Sequence, residues 1–341
     1  MKKHLIAAAV AAAVAVPAMA QVTISGAIGG NSSKYKTSGV TAASQSATTA
    51  NDHLGTTALR ISGAEDLGGG IKAAFVLEGD LSLSSGLGSH NTTSKKDNIF
   101  NRLASVSLSG GFGEISIGRQ NNTTQTAKGN HQFYNLSDNL HFSGQVSGRD
   151  ANGYAYTTPS LNGFKVTGFY SNNPDAKDGT TADGSSGVDG NLTNSGFGAS
   201  YTVQGISLAV AQMTKAQVAT TDIKETVVSA KGKFAGVEVG LGFVTSEQGS
   251  NELSERMLSA KATMGSADLI AHYVSIDVKG SGFAAKSGQT IRDVDGDGFG
   301  LMGVYNLSKR TSVYAGYADY DNTGTTTGDQ TVSTIGLIHK F

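Results

Sequence analysis

The chain has 341 residues, of which 46 are glycine, 3 are proline and none is cysteine, with 26 basic against 27 acidic residues. Disulfide frameworks and thiol chemistry are thereby excluded, and the lack of a basic excess argues against a nucleic-acid partner. High Gly, Ser and Thr with little Pro suits many strands joined by tight turns, and the regularly placed Ile, Val, Phe and Tyr set the chain apart from a disordered one.

The first element is a leader. Lys2, Lys3 and His4 form a positive start, Leu5 to Val16 is an apolar run, and Pro17 breaks it before Ala18-Met19-Ala20, an A-x-A cleavage site. The run is too short for a spanning helix, which needs about 20 apolar residues. Residues 1–20 therefore read as a removed signal peptide and residues 21–341 as one exported domain. Loss of Lys2 and Lys3 takes 26 basic residues to 24 against 27 acidic, about −3.

After residue 20 no helical periodicity and no spanning-length apolar run appear. Period-two alternation does. Val22, Ile24 and Ile28 oppose Thr23, Ser25 and Ala27, while Ala104, Val106 and Leu108 oppose Ser105 and Ser107. Ile115 and Ile117 oppose Glu114 and Ser116, and Val237, Val239, Leu241 and Phe243 oppose Glu238, Gly240 and Gly242. Short turns fall at 65–70, 109–113, 159–163, 202–205, 234–236, 264–266 and 306–310. Longer Ser/Thr/Gly/Asn/Asp-rich stretches fall between them at 31–52, 82–98, 120–150, 172–194, 246–253, 278–297 and 321–330. Seven short turns alternating with about eight long loops predict an all-β, antiparallel transmembrane β-barrel of roughly 16 strands. Apolar side chains should face lipid and polar ones the lumen. A sandwich gives the same alternation, but 16 such strands would make two domains, and no linker divides this chain.

The last strand, Thr331 to Phe341, puts Ile335, Leu337 and Phe341 on one face and Thr334, Gly336 and Lys340 on the other. An exposed terminal aromatic suits a closed barrel whose outer face is covered by lipid and whose edge is paired by the first strand. Phe112, Phe164, Tyr201, Phe234, Tyr305 and Phe341 all lie beside short turns or the terminus, as an aromatic girdle at the periplasmic interface would. Phe341 is the candidate girdle and assembly residue.

Catalytic and metal chemistry finds little support. Asp293-Val-Asp-Gly-Asp-Gly298 matches the first half of a calcium loop, but the twelfth position is Val304 instead of Glu. The seven His residues lack zinc spacing, and no G-x-S-x-G elbow is present. No cofactor and no metal are expected, and the chain is not read as an enzyme.

The segment Leu59 to Glu78, LRISGAEDLGGGIKAAFVLE, resembles the signature of Gram-negative general porins in their neisserial and betaproteobacterial branch. So do Asn101 to Leu108, Phe112 to Gln120, Arg149 to Phe164, Tyr305 to Thr311 and the ending Gly336 to Phe341. Six pieces in the right order carry the resemblance from end to end. It implies a 16-stranded homotrimer seated in outer-membrane lipid and lipopolysaccharide, with the third external loop folded into the lumen. It further implies wall arginines facing acidic residues of that loop.

In this chain the loop should be about 120–150, where Asp138 is the one carboxylate before Asp150. The wall candidates are Arg60, Arg102, Arg119 and Arg149. Arg60 shares parity with Ala58 and Ser62 and should face the lumen. The family more often has arginine where this chain has Ala58. Strict alternation would put Arg119 on the face of Ile115 and Ile117. Arginine costs roughly 2–4 kcal/mol at the bilayer midplane, so a bulge at Gly118 or a rim position is expected, and Arg102 has the same parity conflict. The function expected is general diffusion of ions and small hydrophilic solutes. A substrate-specific channel, or a barrel adhesin acting through its loops, is the alternative. Five basic groups against three acidic near the constriction suggest a weak anion preference.

Overall fold

The computed structural model describes residues 21–37, 46–49, 53–81, 83, 99–129, 133, 145–146, 148–173, 192–217, 221–280, 295–322 and 329–341. The signal-peptide expectation for residues 1–20 and the site residue Asp138 lie outside them. The described strands are β1 (Gln21–Thr37), β2 (Ser46–Thr49), β3 (Ala58–Gly68), β4 (Ile71–Asp80), β5 (Leu103–Gly110), β6 (Gly113–Asn121), β7 (Arg149–Thr157), β8 (Phe164–Asn173), β9 (Leu192–Val203), β10 (Ile206–Lys215), β11 (Ile223–Phe234), β12 (Val237–Gln248), β13 (Asn251–Met264), β14 (Ala267–Lys279), β15 (Gly296–Asn306), β16 (Thr311–Asn322) and β17 (Gln330–Lys340). All pair antiparallel in one sheet. The four-residue β2 is a hairpin partner of β1 within the first loop. The other sixteen close a barrel, because β1 pairs with both β3 and β17.

Closure is made by β17 along β1, from Ala27 opposite Lys340 to Thr37 opposite Gln330, and it is extended at Phe341. Phe341 and Gly26 exchange two backbone hydrogen bonds of 3.1 Å each. A Cβ on Gly26 would lie 2.4 Å from the Ala58 carbonyl oxygen and 2.8 Å from Phe341 Cζ. The terminal ring thus rests on a residue that must be glycine.

All seven predicted short turns join consecutive strands. The long connections differ at two places. Residues 246–253 form a tight hairpin, β12 to β13, whose Gly249 takes φ 61°, a conformation glycine adopts at no steric cost. An external connection between Lys215 and Ile223 carries no Gly-rich signal, and the sequence reading misses it.

Val22, Ile24, Ile115, Ile117, Leu241, Phe243, Ile335 and Leu337 all stand exposed on the outer face, the arrangement that hydrocarbon stabilises. The inner face is of two kinds. On β1 and β3–β6 it carries Thr23, Ser62, Glu78, Ser105, Ser107 and Ser116, as alternation predicts. On β11–β17 it carries Val227, Leu253, Met257, Ile270, Met302 and Ile338, all buried, which departs from the polar-lumen expectation. These residues alternate with the exposed Val228, Leu258, Leu269, Leu301 and Leu337. The reason is loop packing. Leu54 of the first loop and Ala127, Phe133 and Val146 of the third belong to the same hydrophobic cluster, so this wall is a core inside the barrel and is not bare lining.

Candidate pore constriction

The third loop leaves the wall after β6. Asn122 caps a short helix, α1 (Thr123–Lys128), its side chain accepting from Gln125 N–H at 2.9 Å. The Asn122 side-chain amide also donates to the Val146 carbonyl at 3.0 Å and to Asp150 Oδ2 at 3.1 Å. Both ends of the loop are therefore tied to one residue. Asn194 of β9 donates to the other Asp150 oxygen at 3.0 Å.

From this base the loop crosses the lumen to the inner face of β9–β12. Ser229 donates to the Ala127 carbonyl at 2.6 Å. Val146 N–H donates to the buried Glu225 Oε2 at 2.7 Å, and Ser246 Oγ donates to the same oxygen at 3.2 Å. Phe133 lies between Lys231 and Lys261, 5.9 and 5.6 Å from its ring centroid.

The described part of the loop is thus folded inside the barrel. Space remains toward β1 and β3–β5, where a polar recess of about 400 Å³ is lined by Gln21, Thr23, Arg60, Ser62, Ser105 and Ser107, among others.

The four arginines converge beside this recess. Arg60 stands inward on β3 and bonds Glu78 Oε2 at 3.1 Å, its side chain 44% exposed. Arg102 precedes β5, so strand alternation does not bind it. It reaches Glu78 Oε1 at 2.6 Å and Asp80 Oδ1 at 3.0 Å, which resolves its parity conflict. Arg119 sits in the irregular step between Gly118 and Gln120, where the β6–β7 register shifts. Gly118 takes φ 124°, and a Cβ there would lie 2.2 Å from the Ala104 carbonyl oxygen. Arg119 Nε donates to the Asn101 carbonyl at 2.5 Å, and Asn101 is itself bonded to Asp80 at 3.0 Å. Arg149 opens β7, half-buried and within electrostatic reach of Arg102, Asp80, Glu78 and Arg119.

Sequence reasoning missed Glu78 and Asp80. Counting back from the turn at Gly68–Gly70 would have found Glu78, which pairs in register with Arg60. Ala58, the family's more usual arginine position, is buried against β1.

Of the acidic run 293–298, the described Asp297 accepts from Tyr273 Oη at 2.8 Å, and Asp295 accepts from Val278 N–H. Among the described residues no group of three potential ligands assembles for a metal ion.

A family model described as Gram-negative porin matches residues 7–325. Outer membrane porin protein 32 of Delftia acidovorans is 28% identical over 360 residues, spanning all of this chain and 93% of that protein. Major outer membrane protein P.IB of Neisseria lactamica is 28% identical over 354 residues, spanning all of both. The solved anion-selective porin from Comamonas acidovorans superposes with a TM-score of 0.74 at 23% identity, covering 94% of this chain and all of that one.

Proposed function

Because the chain belongs to the Gram-negative porin family and acts as a general diffusion channel of the outer membrane, we propose that Arg60, Arg102, Arg119 and Arg149, with Asp138 of the third loop, line its constriction. Ions and small hydrophilic solutes cross passively through the water-filled space, sorted by radius and by lining charge. The observation that carries this reading is the third loop's docking on the β9–β12 wall while, among the described residues, a recess stays open beside Arg60. Arg60, Arg102, Arg119, Arg149 and Lys128 against Glu78, Asp80, Asp138 and Asp150 leave one positive charge in excess. A weak anion preference is the corresponding proposal, and the relative from Comamonas acidovorans carries the name anion-selective.

Three further parts belong to the proposal. Residues 1–20 are removed and Gln21 starts the mature chain. The channel assembles as a homotrimer among outer-membrane lipid and lipopolysaccharide. Phe341 serves in the girdle and in assembly, which its exposed ring beside the periplasmic turns supports. Single-channel recording in a planar bilayer tests the channel and its preference together. Conductance should rise in proportion to bulk KCl, and a KCl gradient should give a reversal potential of anionic sign. A clear cationic sign would overturn the charge assignment.

A further inference from the structure

The anion preference proposed above has a second possible source. At the constriction, Arg60 and Arg102 are already matched to Glu78 and Asp80. Nearer the periplasmic turns the inner wall carries Lys72, Lys165, Lys231, Lys233, Lys261 and Lys340. Register places each inward. Lys72 opposes Ser109, Lys165 opposes Ser200, and Lys231 opposes Ser207. Lys233 and Lys261 both oppose Glu238, and Lys340 opposes Ala27. Their chain neighbours Ile71, Phe164, Phe234 and Phe341 are exposed on the lipid face.

The carboxylates of this inner belt are Asp66, Glu114, Glu238 and Asp268. Glu238 is held by Lys261 at 3.3 Å. Asp66 accepts from Gly68 N–H, and Asp268 from Thr263 and Asn306. Six lysines thus outnumber four carboxylates, and Lys309 and Arg310 add to them from the β15–β16 turn. Lys72, Lys165, Lys233 and Lys340 are exposed and enter no ion pair among the described residues. They are spread over β4, β8, β11 and β17, all round the barrel.

We propose that this lysine belt in the periplasmic vestibule, more than the arginine cluster, sets the anion preference and makes it directional. Fixed charge on low-dielectric walls raises the local concentration of counter-ions. Its reach is about 10 Å at 0.1 M salt and about 3 Å at 1 M. Anion preference is therefore strongest when the dilute solution bathes the periplasmic mouth, and it fades at high salt on that side.

The test is the quadruple variant K72Q/K165Q/K233Q/K340Q, inserted from one side of a planar bilayer and read as reversal potential under KCl gradients of both directions. With the dilute side periplasmic, the anion-to-cation permeability ratio should fall about threefold. With the dilute side external, the fall should be smaller. No ion pair or ring contact joins the four lysines to the described third loop, so conductance at 1 M KCl should match the unmodified channel, which separates lost charge from a changed pore size. Should the quadruple variant fail to assemble, K72Q/K165Q and K233Q/K340Q are each expected to give part of the same directional shift. An unshifted ratio, equal shifts from both directions, or a cation-selective unmodified channel overturns the proposal. An anion-selective unmodified channel with unshifted variants refutes the belt alone, whereas no conductance at all refutes the diffusion-channel reading as well.

Discussion

The inner faces of β3–β6 and of β11–β17 are built by the same alternating backbone and end in opposite chemistry. The first is small, hydroxyl-bearing and charged, and it borders the open recess with Arg60, Ser62, Ser105 and Ser107. The second buries aliphatic residues such as Val227, Leu253 and Ile270 among polar ones such as Glu225 and Ser246, and loop residues such as Leu54, Phe133 and Val146 pack against it. Hydrophobic burial at about 25 cal/mol per Å² therefore works twice in this barrel, against lipid on the outside and against the loops on the inside. Among the described residues the open recess lies toward β1 and β3–β5, whereas the wall on β11–β17 holds the loops.

The comparison is broken most severely at the seam where the two halves meet. Deleting Phe341 removes both backbone bonds to Gly26 and uncovers that glycine. Loss of heat-modifiable folded oligomer in outer-membrane fractions is expected, and normal accumulation would show that the seam closes without it. Next in size is the contrast between two deletions. Removing residues within 125–147 should raise single-channel conductance, because that segment joins the covered wall to the passage. An equal deletion within 179–190 should leave it unchanged, and equal changes from both would refute the loop assignment.

A sharper cut is Glu225→Ala. A buried Val146 N–H then loses its acceptor, at a cost of about 1–3 kcal/mol, and the loop's return arm loosens from the covered wall. Higher conductance and noisier open-channel current should follow while the oligomer still resists detergent. The smallest effect is expected from Arg60→Gln on the open wall. A partly exposed ion pair contributes about 0–1 kcal/mol, so assembly should be unchanged and the reversal potential should move slightly toward zero.

The same contrast explains what was legible in the sequence. β1, β5, β6 and β12 read cleanly because the inward residues of the stretches used are mostly polar or glycine: Thr23, Ser25, Ser105, Ser107, Glu114, Ser116, Glu238, Gly240 and Gly242. β13, β14 and β15 do not, since Met257 and Leu258, Leu269 and Ile270, and Leu301 and Met302 are neighbours pointing opposite ways, one into lipid and one into the loop-covered core. Strand number survived this because turns, not alternation, carried the count. Arg60 was readable by parity. Arg119 needed the Gly118 bulge, and Arg102 needed the exact start of β5. Glu78 and Asp80 were hidden because the charge count began at residue 100, although the hairpin turn fixes Glu78 opposite Arg60 and Asp80 opposite Ala58. Glu225 gave no signal, since the contact with Val146 joins residues 79 apart.

The bond between Gly26 and Phe341 also sets a schedule. It extends the pairing of β1 with β17, so the ladder cannot become continuous until every intervening hairpin is in place. Entropy is not the obstacle, because each doubling of loop length adds only about 0.6 kcal/mol to closure. The obstacle is exposure in time. Until β17 docks, β1 and β16 present open edges able to pair with any other extended chain. The step that zips β17 onto β1 is therefore also the step that ends this chain's vulnerability to aggregation through those edges.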